Sequence, residues 1–305
     1  MRADQATTLR SWVQRAGQTA GDSPASRPRR VLAFTSGKGG VGKTQLVVNL
    51  GYALCEAGAR VLLFDADLGL ANVDVLLGLT PRFTLQHVLR GEKRLADILL
   101  KGPQGLWILP ASSGVQELAM LSPQQHAWLL AELRRLAAGV DFLLVDTGAG
   151  IAPHVTAFTA AAHDVVVVVT PEPTSLTDAY ALIKVLATKY GVQRFWVLPN
   201  AVADAAEARD TFRRLSTATE RFLRLQLAYF GFVPRDRVFG QAVRQQRAVL
   251  ELYPHGAAAR CLRRLARDVV LALPAPPQET TLDFWQQAFA RQGETTAEDR
   301  QAQRD

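Results

Sequence analysis

Residues 37–44 read Gly-Lys-Gly-Gly-Val-Gly-Lys-Thr, a glycine-rich octet with the phosphate-loop spacing G-x-x-x-x-G-K-[ST]. Such a turn aims several backbone N–H groups at one point, and a helix starting directly after it adds partial positive charge there. The chemistry served is recognition of a nucleoside triphosphate. Gly37, Gly39, Gly40, Val41 and Gly42 form the cradle and Gln45 follows it. Lys43 would sit on the β- and γ-phosphates, and the Thr44 hydroxyl on Mg²⁺. A second lysine, Lys38, has no task in the ordinary loop, because Lys43 already serves the phosphates. Either it is a solvated surface lysine, or it acts between two copies met face to face. In the second case it neutralises charge on the other subunit's γ-phosphate, as an arginine finger does.

Three aspartates fall where strands should end. Asp65 and Asp67 lie in Phe64-Asp65-Ala66-Asp67, and Asp146 closes the apolar run Phe142-Leu143-Leu144-Val145. An aspartate ending a hydrophobic strand is the usual second half of a phosphate-loop site, holding Mg²⁺ directly or through water. The plainer alternative for each is a helix cap or a turn residue.

The elements needed to position these groups are legible as short aliphatic runs alternating with helical patterns. Strands are expected at 31–36, 60–65, 106–110, 142–146, 164–170, 194–199 and 226–233. Helices are expected at 43–57, 84–90, 122–138, 151–162, 174–190, 204–224, 236–251 and 256–272. The run Val165–Val169 has no polar alternation, as a strand covered on both faces requires. The expected fold is α/β: a doubly wound, mostly parallel sheet with nucleotide at the carboxyl ends of the strands. One domain, 31–273, accounts for these elements. Residues 1–16 place Ala6, Leu9, Trp12, Val13 and Ala16 at helical spacing, and 17–30 are rich in Gly, Pro, Ser and Arg, as a flexible linker is. After Leu273, Pro-Ala-Pro-Pro-Gln is a stiff spacer. The segment 274–293 then carries an amphipathic helix, 281–292, with Leu282, Phe284, Trp285, Ala288 and Phe289 on one face. Residues 294–305 are polar and expected to be disordered.

The chain of 305 residues carries 35 Lys and Arg against 28 Asp and Glu, a formal charge of +7, so anionic partners fit. Two cysteines, Cys55 and Cys261, have neither metal-ligand spacing nor a disulfide framework. No signal-peptide pattern opens the sequence and no apolar run is long enough to span a bilayer. A cytoplasmic protein is expected. His126, His154, His163 and His255 are isolated, and Trp107, Trp128 and Trp196 read as packing residues.

Beyond the loop itself, Ser-Gly-Lys-Gly-Gly-Val-Gly-Lys-Thr resembles the deviant Walker A motif of the MinD/ParA family. In that family the extra lysine acts across an ATP-sandwiched homodimer. Residues 65–79, DADLGLANVDVLLGL, resemble the MinD branch, since ParA proteins usually continue with Pro-Gln-Gly. DTGAGI (146–151), TPEPTSLTDAYALIK (170–184), FVPRD (232–236) and VRQQRAVLELYP (243–254) are similar to the FlhG/FleN flagellar-number regulators, and DQATTLR (4–10) to the DQAxxLR segment with which FlhG proteins stimulate the GTPase FlhF.

The resemblance implies a P-loop ATPase that uses ATP and Mg²⁺ and controls flagellar number or placement. Lys38 would be the trans-acting lysine and Asp67 would orient the attacking water. Asp65 and Asp146 would hold the magnesium shell, while Asn200, Pro234 and Asp236 would frame adenine. Ala201 stands where the family often has a polar or basic residue. Asp4, Gln5, Leu9 and Arg10 would contact FlhF; the alternative is an amphipathic helix packed on the core. Leu282, Phe284, Trp285 and Phe289 would bind the inner membrane surface reversibly, or pack on the protein itself. Flagellar C-ring or transcription-regulator proteins are further expected partners.

Arginine-dense stretches (Arg209, Arg213, Arg214, Arg221, Arg224 and Arg260, Arg263, Arg264, Arg267) admit a competing reading, a ParA-like ATPase on DNA. No recognition motif or aromatic interleaving supports it. A division-site MinD protein is a further alternative, against which the DQATTLR segment argues.

Overall fold

A computed structural model describes residues 30–67, 73–110, 136 and 139–272. The N-terminal segment 1–29, most of the expected helix 122–138 and everything beyond 272 lie outside the described residues. Asp4, Gln5, Leu9, Arg10, Leu282, Phe284, Trp285 and Phe289 are therefore outside them as well.

The strands are β1 (Arg30–Ser36), β2 (Val61–Ala66), β3 (Leu100–Lys101), β4 (Trp107–Leu109), β5 (Phe142–Ala149), β6 (Asp164–Val169), β7 (Phe195–Val202), β8 (Ala228–Tyr229) and β9 (Val233–Pro234). They pair in the order β3-β4-β2-β5-β1-β6-β7-β8, with β9 also on β7. All pairings are parallel except β3 with β4. The helices are α1 (Lys43–Glu56), α2 (Val73–Leu76), α3 (Leu85–Leu89), α4 (Leu95–Ile98), α5 (Pro153–Ala161), α6 (Pro173–Tyr190), α7 (Ala205–Leu223), α8 (Val238–Arg244), α9 (Val249–Leu252) and α10 (Ala257–Ala272).

Parallel strands need helical crossovers, which cover both faces of the sheet. The period of two along each strand then divides the core. Leu32, Phe34, Leu63, Leu144, Val166 and Val168 pack with Leu46, Leu50 and Leu54 of α1 and Leu262 and Leu265 of α10. On the opposite face Val31, Ala33, Phe64 and Val145 meet Leu85, Val88 and Phe158, while Val165, Val167 and Val169 meet Leu182, Ile183 and Leu186 of α6. Each such fully buried Leu, Ile or Val contributes about 1.5–3 kcal/mol. At the amino ends of the strands Asp164 ties the central pair: it accepts from Arg30 Nε at 2.6 Å and from Trp196 Nε1 at 2.9 Å.

Two expected elements are divided. The span 226–233 is not one strand: β8 and β9 are separated by a turn through Gly231, whose φ is +116°. A Cβ there would lie 2.4 Å from Leu265 Cδ2, so a side chain would have to displace the tip of Leu265 on α10, and the positive φ itself favours glycine. The expected helix 236–251 is α8 and α9 with a break at Gln246, in the left-handed region at φ 52°. Asn49 of α1 fixes the restart, its Oδ1 accepting from Val249 N at 2.7 Å. No helix among the described residues is long and apolar enough to cross a membrane.

Candidate nucleotide site

β1 ends at Ser36 and α1 begins at Lys43, so the octet forms the first crossover turn at the carboxyl edge of the sheet. Two glycines there are sterically required. A Cβ on Gly37 would lie 2.1 Å from the Asp178 carbonyl carbon in α6, and Gly42 is left-handed at φ +84° as the N-cap of α1. No acidic residue occupies the first turn of α1, so the positive end of its dipole is uncompensated locally.

Lys43 Nζ donates to Asp146 Oδ1 at 2.7 Å, both side chains buried. The other oxygen, Asp146 Oδ2, is buried with no hydrogen-bond partner among the described residues. Adjacent in register on β2 stands Asp65, which accepts from Asp67 N at 3.1 Å and Val73 N at 3.3 Å. Asp65 thus pins both ends of the segment that carries Asp67. The Asp67 carboxylate lies beside Gly148 of β5, where an added Cβ would stand 3.5 Å from its Oδ1. With Ser36, Gly39 to Gln45, Ala149 and the hydrophobic Val75 and Val243, Asp67 lines a cavity of about 630 Å³.

A second cavity, of about 440 Å³, adjoins the first and shares Gly40, Val41, Gly42 and Gln45 with it. Asn200, Pro234 and Asp236 all line it. Asn200 Nδ2 donates to Val41 O at 2.7 Å and so holds the loop itself, while Asp236 Oδ1 accepts from Val238 N at the start of α8. Ala201, which follows Asn200, is left-handed at φ 56°. Two further lining residues were not singled out from sequence. Thr170 directly follows β6 with a buried hydroxyl that has no partner among the described residues, and Phe239 receives Gln45 Nε2 on its carbonyl at 3.2 Å. A threonine closing an uninterrupted valine run at the carboxyl edge was the available signal for the first; nothing in the sequence marked the second.

Lys38 does not enter this cluster. Its side chain is 44 % exposed, and Nζ lies 3.3 Å from both Glu172 Oε2 and Thr174 Oγ1 at the start of α6. Val75 and Val243, which line the larger cavity, are 59 % and 43 % exposed.

These residues fit a magnesium nucleotide. Mg²⁺ is usually held by one or two carboxylates together with substrate phosphates, rather than by a protein cage. Among the described residues no group of three or more His, Cys, Asp and Glu forms such a cage, whereas Asp146 offers a buried, unused oxygen beside Lys43. The Thr44 side chain borders the same cavity.

Comparison with known proteins agrees with this geometry. The family profile described as an AAA domain matches residues 29–192. The antiactivator FleN of Pseudomonas aeruginosa is 49 % identical over 82 % of this chain and 90 % of its own length. The flagellum site-determining protein YlxH of Helicobacter pylori is 33 % identical, covering 86 % of this chain and 89 % of that one. Among solved structures, the MinC:MinD cell division protein complex of Aquifex aeolicus superposes with a TM-score of 0.64. It is 27 % identical and covers 82 % of this chain and 99 % of the other.

Proposed function

The chain belongs to the MinD/ParA family of P-loop ATPases, in the branch of the flagellar regulators FlhG and FleN, and from that premise we propose that it is an ATP-driven dimerisation switch controlling flagellar number and placement. It is an ATPase that uses ATP and Mg²⁺. The magnesium ion, when bound, neutralises charge on the phosphates. The protein's part is to hold and orient. Lys43, Thr44 and the loop amides bind the phosphates, Asp146 holds the metal, and Asp65 fixes the segment from which Asp67 orients the attacking water.

The observation that carries the dimer reading is Lys38: a loop lysine that takes no part in the Lys43–Asp146 pair, close to half exposed and bonded to Glu172 at the start of α6. Two exposed hydrophobic side chains, Val75 and Val243, line the cavity that also holds the phosphate loop. Exposed apolar side chains at the cavity and an accessible loop lysine suit a second copy seated mouth to mouth, with each Lys38 delivered to the other's nucleotide. Removing Lys38 should therefore abolish the dimer or its turnover and leave the monomer folded. The check is sedimentation of Lys38→Ala in Mg·ATP beside the parent chain; equal dimer and equal turnover would refute the assignment.

The segment Asp4 to Arg10 would stimulate the GTPase FlhF, and the helix 281–292 would couple dimerisation to reversible membrane binding. A peptide of residues 1–20 should accelerate GTP hydrolysis by FlhF; no acceleration would remove that partner while leaving the ATPase intact. The DNA-bound alternative is weakened by how the arginines are used. Arg213 and Arg214 both pair with Asp210, and Arg263 pairs with Glu56.

A further inference from the structure

A cleft of about 610 Å³ opens between the β7–β8 edge of the sheet, α7 and α10, and neither the phosphate loop nor the expected catalytic residues border it. Its volume is within the range of small-molecule sites. Trp196, Tyr229, Phe230 and Phe232 form its apolar part together with Leu265 and Val269, and Trp196 stands edge-on to Phe230 at 6.0 Å. Arg209 comes from α7 and Arg264 from α10. Neither guanidinium has an ion pair or hydrogen bond among the described residues, unlike Arg213, Arg214 and Arg263 on the same helices. Both charges are felt at the wall. Burial raises the Tyr229 hydroxyl and Arg209 opposes the rise; burial pushes the Cys261 thiol up to about 11, and Arg264 opposes it.

Arg260 and Asp268 also line the cleft, so three arginines face one carboxylate there. Guanidinium groups without ion pairs beside aromatic side chains favour negative charge on a flat apolar body, because arginine both stacks on rings and forks onto carboxylate or phosphate. We propose that this cleft is a second ligand site, for a small aromatic organic anion such as an aryl phosphate or aryl carboxylate, with Arg209 and Arg264 as its anion-binding residues. The site is placed to act on the nucleotide. Pro234 borders both this cleft and the cavity assigned to adenine. The connecting turn is clamped, Cys261 Sγ donating to Phe232 O at 2.8 Å and Arg235 N to Val202 O at 2.7 Å.

The test is calorimetric titration of the full-length chain, saturated with Mg·ADP, with 2-naphthyl phosphate. One equivalent should bind in addition to ADP. Uncharged 2-naphthol should bind about tenfold more weakly or worse, and the Arg209→Ala, Arg264→Ala double variant should lose about tenfold in affinity for naphthyl phosphate. The variant's unchanged Mg·ADP binding reports that it is folded, and the two single variants should each show part of the loss. Through Pro234 the ligand should alter ADP affinity a few-fold, and ADP should alter the ligand's by the same factor. No binding, displacement by ADP, equal binding of naphthol, or indifference to both arginines would overturn the site. An unchanged ADP affinity would overturn the link to the nucleotide.

Discussion

At the scale of single residues, the chemistry of the site follows from a few side chains with one geometry each. Thr170 gives the narrowest test. Its buried hydroxyl has no partner among the described residues, and Thr170 borders the cavity assigned to adenine. If the bound nucleotide satisfies it, Thr170→Val should weaken Mg·ATP binding by about 0.5–1.5 kcal/mol, several-fold in Kd by calorimetry. Unchanged or tighter binding would mean that the base does not use this hydroxyl. The cysteines provide a second test. Burial raises Cys55 to about 12 and Cys261 to about 11, so both are protonated at neutral pH. Because the thiolate is the nucleophile, iodoacetamide at pH 8 should label the folded chain about 10²-fold more slowly than the unfolded one, and labelling should accelerate towards pH 11. Rapid labelling of the native protein at pH 8 would contradict that burial. The loop residues, Asp146 and the Asp65–Asp67 pair were readable in the sequence because phosphate binding fixes residue type and spacing together. The backbone work of Asp65 and the grip of Asn200 on Val41 were not, since each depends on contacts formed only after the strands align.

At the scale of elements, the long strands and helices were legible from aliphatic runs and period, as were the short α3 and β4, while β3 and the division of 226–233 were not. β8 and β9 have two residues each and owe their pairing to β7 rather than to their own sequence. The break at Gln246 carries no glycine or proline; the join of α9 to Asn49 decides it. The tie at the amino ends of β1, β6 and β7 is open to direct test. Asp164 is fully buried between Arg30 and Trp196. Asp164→Ala would leave a buried guanidinium without its counter-ion, so stability should fall by about 3–5 kcal/mol in chemical denaturation. A loss below about 1 kcal/mol would show that this pair does not hold the central strands together.

At the scale of the whole molecule, the sheet puts the phosphate loop, Asp65, Asp67 and Asp146 on one edge, with exposed apolar side chains at the cavity and an accessible lysine. The mostly parallel sheet was foreseeable from the alternation of strands and helices. The exposed Val75 and Val243 at the cavity were not, because exposure depends on which helices leave that edge uncovered. The central claim is that each site is completed by the other subunit's Lys38, and mixing two defective chains tests it most directly. Lys38→Ala lacks the donated charge, and Asp67→Ala lacks the water-orienting carboxylate; each alone should turn over ATP at no more than about one-hundredth of the parent rate. A mixed dimer contains one complete site, formed by Asp67 of the first chain and Lys38 of the second. An equimolar mixture that pairs at random should therefore regain about a quarter of parental ATP hydrolysis. Turnover in the mixture no higher than in either variant alone, with mixed dimers demonstrably formed, would contradict the account.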